Sequence, residues 1–143
     1  MDNNLRPFCH REPEGIIDIF SLTDYSSIPK NPGAYIFVSY DQKFLYPNGS
    51  SKIIYIGKAE NLRQRIQTHK RIITEVSNLK KSDKNSYWYF ARYQYLAKFG
   101  GKLYYFTRKG SQEAKNLENL LLEEFYDRYL SLPVGNGARS FRS

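Results

Sequence analysis

The 143-residue chain is long enough to bury the core of one domain, and its 41% apolar and 25% charged content is ordinary for a globular protein. A single cysteine, Cys9, excludes an internal disulfide and fits an intracellular, reducing compartment, and two histidines leave almost nothing for a His/Cys zinc site. Neither a signal peptide nor the run of roughly 20 apolar residues that spans a membrane is present, which points to the cytoplasm.

The net charge of +8 is concentrated in the middle of the chain. Residues 58–112 hold thirteen Lys/Arg against three Asp/Glu, net +10, while the segments on either side are each at −1. A solvated helix face competes as the explanation, yet a block this one-sided suits a polyanion such as nucleic acid.

Residues 1–26 are expected to form an N-terminal extension that packs on the domain, irregular and polar to residue 14. The apolar segment Gly15–Leu22 is read as a turn of helix or a strand. Ser26, Ser27, Pro29, Asn31 and Pro32 mark a loop, and residues 27–143 form the domain proper. Ala34–Tyr40 is the first strand, Asp41–Ser51 carries the turn signal Pro47-Asn48-Gly49, and Lys52–Ile56 is the second strand, ended by Gly57. So short a connection predicts an antiparallel hairpin.

Glu60–Leu79 reads as a helix, with Leu62, Ile66, Ile73 and Val76 at helical spacing and His69 on the same stripe. Lys80–Ser86 is a charged loop, the aromatic run Tyr87–Phe99 a second helix, and Gly100-Gly101 a break. Leu103–Thr107 is a third strand, and Gln112 to about Leu130 the last helix, stopped by Leu132-Pro133. Val134–Ser143 is a polar tail, frayed beyond Asn136. The order predicts an α/β (α+β) domain with a small three-stranded, mainly antiparallel sheet flanked by helices.

Several residues invite a chemical reading. Tyr35 and Tyr55 lie on the two hairpin strands and share a face if the register permits, although tyrosine in a strand is ordinary. Arg65 and His69 are four apart on one helix face. A histidine on an apolar stripe is by itself more often a core residue, whereas a guanidinium beside it can hold a phosphate bidentately. Arg63, Lys70 and Arg71 project elsewhere and, with Lys58, suit contacts to a nucleic-acid backbone. On the last helix Glu118 interrupts the apolar face of Ala114, Leu121, Leu122 and Phe125, where an uncompensated carboxylate is costly. Glu123 belongs to the wetter side and Glu124 is intermediate. An oxygen ligand on a rigid helix with open coordination positions suits Mg²⁺ beside a phosphate.

Together these features resemble the GIY-YIG nuclease family. The matching residues are Gly33-Ala34-Tyr35, Tyr55-Ile56-Gly57-Lys58, and Asn61-Leu62 with Arg65 and His69. The match continues through Glu113-Ala114, Leu117-Glu118, Leu121-Leu122, Pro133 and Asn136, so it covers about residues 27–137. YIGKAENLRQR copies the family's second motif closely. The chain departs from the family pattern in Ala34, at a core-facing position, and in a Tyr35-to-Tyr55 gap about ten residues longer than the commonest. The stretch from Glu118 to Asn136 is also long. Moving the metal ligand to Glu124 would restore that spacing but lose the Ala114 and Leu117 pattern, so Glu118 is kept.

The resemblance implies a metal-dependent endonuclease acting on phosphodiester bonds, DNA before RNA, with one Mg²⁺ or Mn²⁺ ion on Glu118. It implies Tyr35 as general base or proton relay, Tyr55 as its hydrogen-bonding support, and Arg65 as the phosphate holder. His69 orients Tyr35 or shuttles a proton, Lys58 neutralises charge or helps activate a tyrosine, and Asn136 positions. A dimer would serve double-strand cleavage. The rival is a non-catalytic nucleic-acid-binding module of the same fold. It does not account for retention of both tyrosines, the arginine, the histidine and the glutamate. An accessory domain acting through a protein partner leaves the charge distribution unexplained. Without a further DNA-binding module, a stand-alone restriction, mobile-element or toxin-type nuclease is expected rather than a repair subunit.

Overall fold

The structure, a computed structural model, describes residues 3–78 and 91–136. Leu79, the expected loop Lys80–Ser86, Tyr87–Phe90 of the expected second helix and the tail from residue 137 lie outside the described residues. In chain order the elements are β1 (Gly15–Asp18), β2 (Gly33–Val38), β3 (Phe44–Tyr46), β4 (Gly49–Ser51), β5 (Ile53–Ala59), α1 (Leu62–Ser77), α2 (Ala91–Phe99), β6 (Lys102–Thr107) and α3 (Ser111–Tyr129).

The main sheet runs β1-β6-β2-β5 and every pairing in it is antiparallel. The three expected strands are β2, β5 and β6. The fourth comes from the N-terminal extension, whose segment Gly15–Asp18 adds to the outer edge of β6. Strand β2 is central and all six of its residues are buried. Alternation along it divides the core. Ala34, Ile36 and Val38 face Leu117, Leu121 and Phe125 of α3, while Tyr35 and Phe37 face Leu62, Ile66 and Ile73 of α1 and Tyr93 and Leu96 of α2.

The helices follow from their sequences. Asn61 caps α1 by accepting a hydrogen bond from the Gln64 amide at 3.0 Å, and Leu62, Ile66, His69, Ile73 and Val76 form its buried stripe. Helix α3 buries Ala114, Leu117, Leu121, Phe125 and Tyr129, and ends at Leu130 in the left-handed conformation (φ 60°), before the proline expected to stop it.

Two segments read as irregular are held in place. Among its described residues the extension has no regular element before Gly15, and Leu5, Phe8 and Cys9 are buried on the α3 side. Phe8 meets Phe125 edge-on at 5.2 Å. The long connection between β2 and β5 contains the hairpin β3–β4, turned by Gly49 at φ 126°. That hairpin docks on the end of α3. Asn48 and Arg128 exchange side-chain-to-carbonyl hydrogen bonds at 2.9 and 2.7 Å, and Tyr46 packs 5.3 Å from Phe125. Strand β5 also runs on through Gly57 to Ala59 instead of ending at Ile56. Among the described residues no helix is long and apolar enough to cross a membrane.

Candidate active site

In the β2–β5 ladder Tyr35 pairs with Gly57, and Tyr55 stands two residues earlier on the same face, its ring centroid 6.2 Å from that of Tyr35. Gly57 makes this possible. A Cβ there would lie 2.6 Å from the Tyr55 ring and 2.7 Å from that of Tyr35. Gly33 answers a different need. A Cβ would come within 2.1 Å of the Phe106 carbonyl oxygen, so β2 enters the sheet against β6 only without a side chain. The two motif glycines are therefore packing requirements.

Helix α1 brings His69 under Tyr35. The imidazole is 1% exposed, its Nε2 2.7 Å from the Tyr35 hydroxyl and its Nδ1 2.8 Å from the Tyr93 hydroxyl of α2. Burial, aided by the positive charges of Arg92 and Arg65, pushes its pKa down to about 3, so the ring is neutral at neutral pH. Burial raises the Tyr35 phenol well above its ordinary value and Tyr55 adds to this, while Arg65 and Arg92 draw it back.

Above these rings lies a cleft of about 510 Å³. Tyr35, Tyr55, Lys58, Arg65, Arg92 and Glu118 all line it, so it gathers side chains from β2, β5, α1, α2 and α3. Glu118 is half-buried at the cleft end of the α3 stripe. Burial raises its carboxyl pKa, and Lys58 and Lys115 pull it down only in part. Glu124 does not line the cleft. It accepts a hydrogen bond from Arg11 at 2.6 Å in a half-exposed ion pair, and Glu123 is exposed. Among the described residues no three His, Cys, Asp or Glu side chains cluster to enclose a metal ion; of the two carboxylates that line the cleft, Glu118 is half-buried and Glu60 is exposed.

The expected nucleic-acid contacts divide. Lys58 is exposed on the cleft, and Arg71 is exposed beside Glu75 at 3.3 Å. Arg63 instead donates to the carbonyls of Ile28 and Ser26 at 2.7 and 2.9 Å, tying α1 to the loop before β2. Lys70 donates to the Phe20 carbonyl at 2.6 Å. These two side chains serve the fold.

Asn136 also lies away from the cleft lining. Its Oδ1 accepts from the Ile56 amide at 3.0 Å and its Nδ2 donates to the Ile56 carbonyl at 2.9 Å, mimicking a neighbouring strand on β5. Beside it, the Gly135 amide donates to the Ile54 carbonyl at 2.7 Å. A Cβ at Gly135 would sit 2.6 Å from that carbonyl and 3.0 Å from the Arg92 Cβ. Residues 133–136 thus wedge between β5 and the start of α2.

Arg92 and Tyr93 are the site residues that sequence reasoning missed. The Arg92 guanidinium lies 4.7 Å over the Tyr55 ring and 4.9 Å over that of Tyr93. Its signal was available: Arg92 is the lone basic residue in an aromatic run beginning at Tyr87 and reaching Leu96.

No family model matches the chain. It is 30% identical over 108 residues, 76% of its length, to UvrABC system protein C of Methanococcus maripaludis, and 28% identical over 125 residues, 87% of its length, to that of Chlorobium chlorochromatii. The chain spans 16% of the length of each of these relatives. A crystal structure of the GIY-YIG N-terminal endonuclease domain of UvrC from Thermotoga maritima, bound to its catalytic divalent cation magnesium, aligns at a TM-score of 0.43. Identity is 20%, covering 78% of this chain and 90% of that one. Kinship to UvrC proteins over most of the chain, and motif residues from distant stretches that meet at one cleft, identify it as a member of the GIY-YIG nuclease family.

Proposed function

We propose that this domain is an endonuclease that hydrolyses phosphodiester bonds in DNA with the help of one divalent cation. The observation that carries the reading is the cleft, where two tyrosines, two arginines, a lysine and a half-buried glutamate converge beside a buried neutral histidine. A hard cation, Mg²⁺ or Mn²⁺, fits the donor set. Glu118 offers one carboxylate whose charge burial disfavours, in a cleft with room for water and phosphate oxygens. Bound there, the ion supplies Lewis-acid stabilisation of charge on the phosphate.

The chain's own residues do the rest. Arg65 holds the phosphate and stabilises the charge that develops on it. Tyr35 enters the reaction having released its own proton to the cleft. Burial opposes this ionisation and Arg65 and Arg92 favour it. The oxygen of the attacking water bonds to phosphorus as its proton passes to the Tyr35 oxygen. The bond from phosphorus to the leaving deoxyribose oxygen breaks with its electron pair on that oxygen, which takes a proton from solvent. Tyr55 supports Tyr35 and the phosphate, His69 orients Tyr35, and Lys58 offsets negative charge at the rim.

The test is incubation with supercoiled plasmid and with single-stranded RNA, each with Mg²⁺ or EDTA. Nicked circles in Mg²⁺, preceding linear DNA because one site cuts one strand, are the expected result. DNA bound but uncut under all conditions would overturn the catalytic reading and leave a binding module, and cutting in EDTA would remove the metal.

A further inference from the structure

Helix α2 contributes to the site in a way that neither the motifs nor the family assignment covers. We infer that Arg92, Tyr93 and His69 form a chain of hydrogen-bond donors ending on the Tyr35 oxygen, with Arg92 and Tyr93 acting as positioning residues for the tyrosine that receives the water's proton. The inference rests on the endonuclease reading for its catalytic consequence, but the chain itself is a property of the free protein.

Two polarities satisfy the bonds of the imidazole, and one of them leaves the Tyr35 proton to the cleft. Arg92 is always a donor, and its guanidinium lies 4.9 Å from the centre of the Tyr93 ring. The Tyr93 hydroxyl, which carries one proton, lies 2.8 Å from His69 Nδ1. Donating forward makes Nδ1 the acceptor of a neutral ring, so the imidazole proton resides on Nε2, 2.7 Å from the Tyr35 oxygen. Nε2–H then donates to Tyr35, whose own O–H is left to point into the cleft. The opposite polarity would make the Tyr93 oxygen an acceptor from Nδ1 and commit the Tyr35 proton to Nε2 in the core, away from the cleft.

The chain carries the influence of a cation to the place where negative charge must appear. A buried N–H donor favours the ionised phenol, and polarised hydrogen bonds in series strengthen one another. Arg92 is well held for this. Its guanidinium rests on the Tyr55 and Tyr93 rings, and Gly135 packs against its Cβ and Cα. The wedge at residues 133–136 thereby connects Asn136 to the site through α2. Other groups around the Tyr35 ring are Tyr55 of β5, Tyr105 of β6 and Arg65 of α1, while Glu118 of α3 bears on Tyr55.

The experiment reads the tautomer directly, by ¹⁵N–¹H correlation spectra of the protein labelled in its histidine rings, with His69→Gln assigning the His69 signals. Nε2 protonated and Nδ1 bare is the expected state, and Tyr93→Phe should shift the ring toward the Nδ1–H form. In single-turnover cleavage Tyr93→Phe should lose at least tenfold in rate while its DNA Kd stays within twofold of wild type. Its pH–rate profile should move about one unit to higher pH, and Arg92→Met should move it the same way. A wild-type ring protonated on Nδ1 would overturn the inference, as would a Tyr93→Phe profile that coincides with wild type. If the wild-type protein cuts nothing, the endonuclease reading fails, and the spectra still decide whether the donor chain exists.

Discussion

His69 should make this protein acid-labile by an amount that can be worked out beforehand. Its folded pKa of about 3 lies below the ordinary 6.5 because burial excludes the charged ring and Arg92 and Arg65 repel it. Between those two values the unfolded chain binds a proton that the folded chain refuses, so stability falls as pH falls. The contribution is fully present above pH 6.5 and is gone below about 3. The slope is about 1.36 kcal/mol per pH unit, hence about 3 kcal/mol lost by pH 4 and about 5 kcal/mol over the whole window. A domain of this kind has only about 5–15 kcal/mol to lose. The assay is urea denaturation at half-unit steps from pH 7 to 4, on wild type and on His69→Gln. Carboxylates elsewhere act alike in both proteins and cancel in the difference. The wild-type curve should be steeper by a fraction of a proton near pH 7, rising to close to one proton between about pH 5.5 and 4. Parallel curves would mean that His69 titrates normally, and would refute the buried neutral imidazole on which the site is built.

Four further outcomes follow from the same geometry. Glu118→Gln should abolish cleavage while leaving DNA binding intact. Because the raised Glu118 carboxyl stabilises the fold when protonated and this contribution fades as pH rises through its folded pKa, the variant should be as stable as wild type or more so at pH 7, by thermal melting. Glu124→Gln should cut normally and lose at most about 1 kcal/mol with the Arg11 pair; an inactive Glu124→Gln beside an active Glu118→Gln would move the site along α3. Gly57→Ala should destabilise by about 1–3 kcal/mol and depress cleavage, because both tyrosine rings must move to admit the methyl group, and an unchanged melting temperature would contradict the ring positions. In the salt dependence of DNA affinity, Lys58→Ala and Arg71→Ala should each flatten the logarithmic slope by about 1, whereas Arg63→Ala and Lys70→Ala should lower stability and leave the slope nearly unchanged.

Local rules determined much of this protein without any structure. The stripe Leu62, Ile66, His69, Ile73 and Val76 with its Asn61 cap specifies α1, since helical period and capping are properties of a short stretch. The alternation in β2, and a carboxylate breaking the apolar stripe of α3, were legible for the same reason. Contacts between distant stretches were not. Whether Arg63 and Lys70 meet nucleic acid or carbonyls depends on where the loop before β2 and the segment after β1 come to rest, and a charge count is blind to that. Leu5, Phe8 and Cys9 look like members of a polar tail until α3 offers them a surface. Glu118 and Glu124 differ by six positions on one helix. The tertiary structure separated them by turning one to the cleft and the other to Arg11, which lies 113 residues away in the chain. The pairing of Tyr93 with His69 likewise exists only because α2 packs on α1, and a hydrogen bond made across two helices leaves no periodicity in either.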